Sequence, residues 1–222
     1  MNLKIIQAGV DREAEREQLS MTQLKELGCR YIRLENPVYE DDPPLDHVFE
    51  GNKHWYVGKT KPSGTWGLTP GHYGCWLSHK QSMALGFADK GHFLICEGDC
   101  KILDITKFKT HLEEAIEVLN TTDYPIIRFE TSNNLISTTY YNQVSDNIWE
   151  CDQVINGHCY LVNEKSKPFF DNLFETVGWH AFDWWLVYAF QKVNQKMLCF
   201  KEELTDQFSG FSEIDKVIRN KG

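Results

Sequence analysis

The stretch FLICEGDCKI, residues 93–102, holds four residues that a core accepts, Phe93 to Cys96, and then two carboxylates, Glu97 and Asp99, separated by Gly98. A short apolar run bounded by turn residues reads as a buried strand. In open α/β sheets, ligands collect where strands end at their C-termini. If HFLIC (92–96) is a central strand, Glu97 and Asp99 therefore stand at a crevice. Two acids spaced i, i+2 can point into it together, and Gly98 lets the backbone approach a ligand closely. Hard oxygen ligands of this kind suit Mg2+ or Mn2+, ions that keep positions open for substrate phosphates. Acidic turns are also common on protein surfaces, so the tripeptide by itself fits a solvated turn as well.

The flanking sequence supports the strand. Upstream, in LTPGHYGCWLSHKQSMALGF (68–87), Thr69 is a good N-cap and Pro70 a good first helical residue. Trp76, Lys80, Met83, Ala84 and Phe87 are expected on one face of that helix. Nearer the N-terminus, LKIIQA (3–8) reads as a strand and residues 11–28 as a helix, with Leu19, Leu24 and Leu27 inward and Gly28 at its stop. CRYIRLE (29–35) is a second strand. Downstream, residues 106–119 form an amphipathic helix with Phe108, Leu112, Ile116 and Leu119 inward. PIIRFE (125–130) is a strand, and 131–163 read as β structure. Helices follow near 165–177 and 183–193, then the strand KMLCF (196–200). Residues 36–68 form a long irregular loop whose acidic run EDDPPLDH is read as solvated surface. Residues 201–222 read as an irregular polar tail. Alternating strands and helices without an internal repeat predict one α/β domain spanning 1–222, with a central, mostly parallel mixed sheet flanked by helices.

Composition narrows the function. The chain has 222 residues, 41% hydrophobic and 13% aromatic, which is globular. Its net charge of -9 argues against a general nucleic-acid binder, which needs a basic face. No apolar run approaches the roughly 20 residues that span a bilayer. MNLKIIQAGV has too short an apolar stretch, and no small-residue cleavage site, for a signal peptide. The seven cysteines are an odd number, which predicts reduced thiols and a cytoplasmic setting. Cys96, Cys100, Cys151 and Cys159 lack paired short spacings, so no structural zinc is expected.

Five segments in order resemble glycosyltransferase family 25, which includes the lipooligosaccharide and procollagen galactosyltransferases. The family shows an Asp-Arg-x-x-acid-Arg helix start, matched by Asp11, Arg12, Glu15 and Arg16. It shows a Gly-Cys-x-x-Ser-His helix, matched by Gly74, Cys75, Ser78 and His79. Its hydrophobic strand ends in Glu-Asp-Asp, matched by Glu97, Gly98 and Asp99 with glycine in the middle. GHCYLVNEKSKPFF resembles its Gly-x-x-Tyr-Leu segment, and FDWWL its Asp-containing helix start. Gly9 stands where the family usually has Asn. Together the segments span nearly the whole chain.

The resemblance implies a GT-A-like nucleotide-binding sandwich. It implies hexosyl transfer from a UDP-sugar, often UDP-galactose, to a hydroxyl of a glycan, lipid-linked glycan or glycoprotein, with inversion, as in lipopolysaccharide biosynthesis. Attachment at the periphery of a membrane is compatible with such acceptors. Asp99 and Glu97 would hold Mn2+ or Mg2+ and the nucleotide-sugar. Arg12 and Arg16 would grip phosphate or stack on the base, unless they are ordinary surface ion pairs. Ser78 and His79 would contact the donor, unless His79 is a packed histidine. Asp183 would be the catalytic base, and is equally a natural N-cap. Trp184 or Trp185 offers a sugar-stacking face, one of them being core. Glu130 and His158 are the fallback bases, and His180 is a secondary candidate. Gly98 and Gly9 keep open a non-catalytic nucleotide-sugar or glycan-binding relative, and the same carboxylates fit a metal-dependent phosphohydrolase.

Overall fold

Period-two alternation builds the sheet. In His92–Glu97, Phe93 and Ile95 face one side while Leu94 and Cys96 face the other, and all four are buried. A strand apolar on both faces must be covered on both. The computed structural model describes residues 3–9, 14–35, 43–44, 48, 56–57, 67–130, 138–152, 156–208, 210–212 and 217–219. Their elements are β1 (Leu3–Gly9), α1 (Ala14–Glu26), β2 (Arg30–Glu35), β3 (Tyr56–Val57), β4 (Gly67–Leu68), α2 (Pro70–Phe87), β5 (His92–Glu97), β6 (Cys100–Ile102) and α3 (Ile105–Thr121). There follow β7 (Ile126–Arg128), β8 (Tyr140–Gln143), β9 (Ile148–Cys151), β10 (Cys159–Asn163), α4 (Lys167–Thr176), α5 (Phe182–Lys192), β11 (Met197–Phe200), β12 (Thr205–Gln207), β13 (Gly210–Ser212) and β14 (Val217–Arg219).

Eight strands form one sheet in the order β2-β1-β5-β10-β7-β11-β9-β8. Helices α2, α4 and α5 cover one face, through Trp76, Met83, Phe170, Leu173 and Trp185. Helices α1 and α3 cover the other, through Leu24, Phe108, Leu112 and Leu119. The expectation of a flanked mixed sheet holds, but the sheet is not mostly parallel in its pairing. The pairs β1–β2, β1–β5 and β7–β11 are parallel, whereas β5–β10, β10–β7, β11–β9 and β9–β8 are antiparallel. The reversed strand β10 comes late in the chain and inserts between β5 and β7, which sequence order alone does not reveal. The chain leaves β1 to build β2 on one side and returns by α2 to build β5 on the other. That reversal is a topological switch point, and its crevice opens at the C-terminal ends of β1 and β5.

Several local expectations are corrected. Leu19 is 50% exposed, and α1 instead buries Arg16, Glu17, Ser20 and Leu24. In α2 the buried residues are Trp76, His79, Ser82, Met83 and Gly86, while Lys80 and Ala84 are exposed. The Lys80 ammonium instead lies over the Trp76 ring, 5.1 Å from its centroid, a cation–π contact. The tail is not wholly irregular, because β12 pairs with β6 and β13 with β14. Within 36–68, Tyr56–Val57 pairs with Gly67–Leu68. Other expectations hold. Pro70 opens α2, and His72 reaches back to accept the Thr69 amide at 3.1 Å. Gly28, at φ +72°, ends α1 in the left-handed conformation that glycine adopts without strain.

Candidate functional site

The strand β5 delivers Glu97 to the crevice, and three residues of two other elements hold its carboxylate. His79 of α2 lies with Nε2 3.2 Å from Glu97 Oε1. Cys75, one turn earlier on the same helix, has its Sγ 3.9 Å from the same oxygen. From β12, Gln207 donates its side-chain amide to Glu97 Oε2 at 3.3 Å. The Cys75, His79 and Glu97 donor atoms all lie within 4.8 Å of one another.

His79 is itself fixed on three sides. Its Nδ1 is 2.8 Å from the Tyr160 hydroxyl, and its ring stacks on Phe182 at 3.7 Å between centroids, 4° from parallel. Burial holds the Tyr160 phenol far above its ordinary pKa, so it keeps its proton; Glu97 accepts from Nε2–H, which leaves Nδ1 to accept from that hydroxyl. Gly157 makes the close packing possible, because a Cβ there would lie 3.3 Å from both Glu97 Oε1 and the Phe182 ring. The packed-histidine reading of His79 and its role at the site are therefore the same fact: it is 1% exposed and it orients Glu97.

Asp99, in the turn after β5, pairs with Arg16 of α1 at 3.4 Å, with side chains 14% and 11% exposed. Arg16 is thus part-buried in an ion pair at this turn rather than exposed on the surface. The Asp99 carbonyl accepts the Phe208 amide at 2.8 Å, so the segment after β12 pins this turn. Arg12 lies outside the described residues. Ser78 donates its hydroxyl to the Gly74 carbonyl at 2.8 Å, inside its own helix.

Asp183 is half-buried in the first turn of α5. It is not the N-cap, contrary to the sequence expectation, because the helix begins one residue earlier and Ala181 occupies the cap position. Its Oδ1 accepts the Trp184 amide at 2.8 Å. Burial raises its carboxyl above the ordinary aspartate value; the Trp184 amide opposes this, the Glu97 charge adds to it, and Arg128 lowers it. Gly157 shows how close this helix start comes to Glu97, because a Cβ there would meet Glu97 Oε1 and the ring of Phe182, the residue before Asp183. Trp185 is core, whereas Trp184 is half-buried and stacks with Tyr188 at 5.7 Å.

The fallback candidates lie deeper. Glu130 is fully buried and bonded by Arg128, whose Nε lies 2.7 Å from Glu130 Oε1, so it is a poor proton acceptor for a bound hydroxyl. His158 is 2% exposed, with Nε2 3.2 Å from the Thr205 hydroxyl. Burial pushes His180 down to about 4, which leaves it neutral near pH 7. A cavity of about 350 Å³ lined by His92, Ile116, Asn120 and Glu164 lies at the other end of β5, away from these groups.

The carboxylates Glu97 and Asp99 are the hard donors that Mn2+ or Mg2+ requires, and their chemistry fits such an ion. Cys75 and His79 add softer donors beside Glu97. Sequence reasoning missed Arg128 and Gln207, and it marked Gly157 and Tyr160 only as part of the Gly-x-x-Tyr-Leu segment, without a role at the site. Cys75 was named in the Gly-Cys-x-x-Ser-His segment without a role, and its position four residues before His79 puts both on one helix face. The chain matches no protein-family model and no curated protein. Among the described residues, no helix is long and apolar enough to cross a membrane.

Proposed function

We propose that the chain is an inverting glycosyltransferase of GT-A type, moving a hexose, galactose first among the candidates, from a UDP-sugar to a hydroxyl of a glycan or glycoconjugate in a cytoplasmic setting. The observation that supports this best is the meeting of four segments far apart in the chain at the end of β5: Glu97 with His79, Asp99 with Arg16, and Phe182, next to Asp183, stacked on His79. Asp99 and Glu97 would hold Mn2+ or Mg2+, which supplies positive charge for the leaving diphosphate. Arg16 lies beside Asp99 to balance charge there. His79, clamped by Tyr160 and Phe182, keeps Glu97 in one orientation. Asp183 takes the proton of the acceptor hydroxyl as its oxygen bonds to the anomeric carbon. The bond from that carbon to the diphosphate oxygen breaks, and UDP leaves with the electron pair. A carboxyl raised by burial is better matched to this proton transfer than an ordinary aspartate. Trp184 and Tyr188 offer an aromatic face for the acceptor sugar.

A second reading, a nucleotide-sugar-binding or glycan-binding relative without turnover, draws on Gly98 in place of an acid and on Asp99 already neutralised by Arg16. UDP release from UDP-galactose, with and without Mn2+ and a panel of glycan acceptors, separates the readings. Acceptor-dependent release supports transfer. Binding by thermal shift without release supports the binding relative, and release from unrelated phosphoesters supports a phosphohydrolase.

A further inference from the structure

Three cysteines arrive at one point from three strands. Cys96 lies near the end of β5, Cys100 opens β6 and Cys159 opens β10. Cys96 and Cys159 are cross-strand partners, with their sulfurs 3.7 Å apart. All three sulfurs lie within 4.8 Å of one another. Their residues are 0%, 1% and 0% exposed, and they are packed among Leu94, Phe129 and Leu161. They face the side of the sheet opposite Ile95 and Tyr160, so this cluster is distinct from the Glu97 crevice.

The spacing is that of ligands around an ion. Sulfurs about 2.3 Å from a common centre stand about 3.8–4.0 Å from each other in tetrahedral or trigonal geometry. One pair already meets this, and the third sulfur needs to move by less than about 1 Å. A disulfide would need the sulfurs at about 2 Å. Thiolates select closed-shell, thiophilic ions such as Cu(I) and Zn(II) over the hard ions that carboxylates prefer.

We propose that Cys96, Cys100 and Cys159 form a buried site for a single thiophilic d10 metal ion, held behind the Glu97–Asp99 turn. Binding exchanges thiol protons for the ion and releases them to solvent. Cu(I) is satisfied by three sulfurs, whereas Zn(II) needs a fourth donor. His158, which precedes Cys159, is 2% exposed and has no hydrogen-bond partner for Nδ1 among the described residues, is the candidate for that fourth position; its nitrogens lie outside the 4.8 Å group of the three sulfurs, so its ring has to turn to reach the ion. An ion here ties β5, β6 and β10 together, and so fixes from behind the turn that carries Glu97 and Asp99.

The test is a titration of the fully reduced chain, under nitrogen, with Cu(I) against a chromophoric copper chelator and with Zn(II) against a zinc chelator. One equivalent of one ion is expected to be withheld from its chelator and to raise the melting temperature. Cys100→Ser and Cys159→Ala should each release it, while Cys29→Ser and Cys151→Ser keep it. Loss of zinc but not copper in His158→Gln assigns the four-donor form of the site. Wild-type chain that withholds neither ion overturns the proposal, and this readout does not depend on any variant folding. Retention by both Cys100→Ser and Cys159→Ala overturns it too, as does rapid Cys96–Cys159 cross-linking in air with no ion bound.

Discussion

Replacing Asp183 by Asn separates charge from shape at the proposed base. Asn keeps an oxygen for the Trp184 amide, now bonded at 2.8 Å, and removes the carboxylate. Two stability effects oppose each other. An acid in the first turn of a helix contributes about 0.3–1 kcal/mol through the macrodipole, and this is lost. Against that, a carboxylate held in a buried place beside Glu97 is no longer charged. The sign follows from linkage. Burial raises the folded-state value, so the fold prefers the protonated form and ionised Asp183 costs stability at neutral pH. That cost fades as pH falls through the folded value. The variant therefore gains relative to wild type near pH 7 and loses the gain on acidification. The net change should stay within about 1 kcal/mol, or about 2–4 °C in melting temperature for a chain of this size. Transfer should fall by about 10²–10⁴, the contribution of a positioned base. The acidic limb of the wild-type rate, set above the ordinary aspartate value of 3.8, should vanish with it. UDP release with UDP-galactose, Mn2+ and an acceptor measures the rate, and thermal shift measures donor binding. Near wild-type transfer by Asp183→Asn refutes the reasoning and leaves Asp183 as a first-turn acid.

Asp99→Asn should abolish the Mn2+-dependent gain in UDP-galactose affinity, and should cost about 1–3 kcal/mol because Arg16 loses its charged partner; calorimetric titration with and without Mn2+ checks both. His79→Phe preserves the stack on Phe182 but strands the buried Tyr160 hydroxyl, at about 1–3 kcal/mol. Adding Tyr160→Phe should recover most of that stability in urea melts without recovering transfer, since Glu97 still lacks the imidazole contact that orients it. Gly86→Ala should destabilise by about 1–3 kcal/mol, because its Cβ would overlap the Phe93 ring, which also packs edge-on against Phe87. A denaturation midpoint unchanged in Gly86→Ala would show that α2 can lift off β5 there.

Much of the candidate site was legible in the sequence because its donors sit at the ends of strongly patterned elements. The alternation Phe93, Leu94, Ile95, Cys96 dictates a two-sided buried strand, and its exit fixes where Glu97 and Asp99 go. Thr69-Pro70 dictates where α2 starts, and therefore that Cys75 and His79 share a face. The partners were not legible. Gln207 reaches Glu97 only because β12 pairs with β6, an antiparallel contact between segments about a hundred residues apart. Tyr160 meets His79 only because β10 runs backwards beside β5.

The sequence by itself determined most of the helices and central strands, the two-faced burial of β5, and the kinds of chemistry at their ends. These depend on neighbours two to four residues away, where periodicity and capping act. Tertiary structure alone decided the pairing of Asp99 with Arg16 rather than with an open crevice, the burial of Glu130 against Arg128, and the meeting of three sulfurs from β5, β6 and β10. Each of these rests on strand order and register, which are set by the packing of both faces of the whole sheet at once.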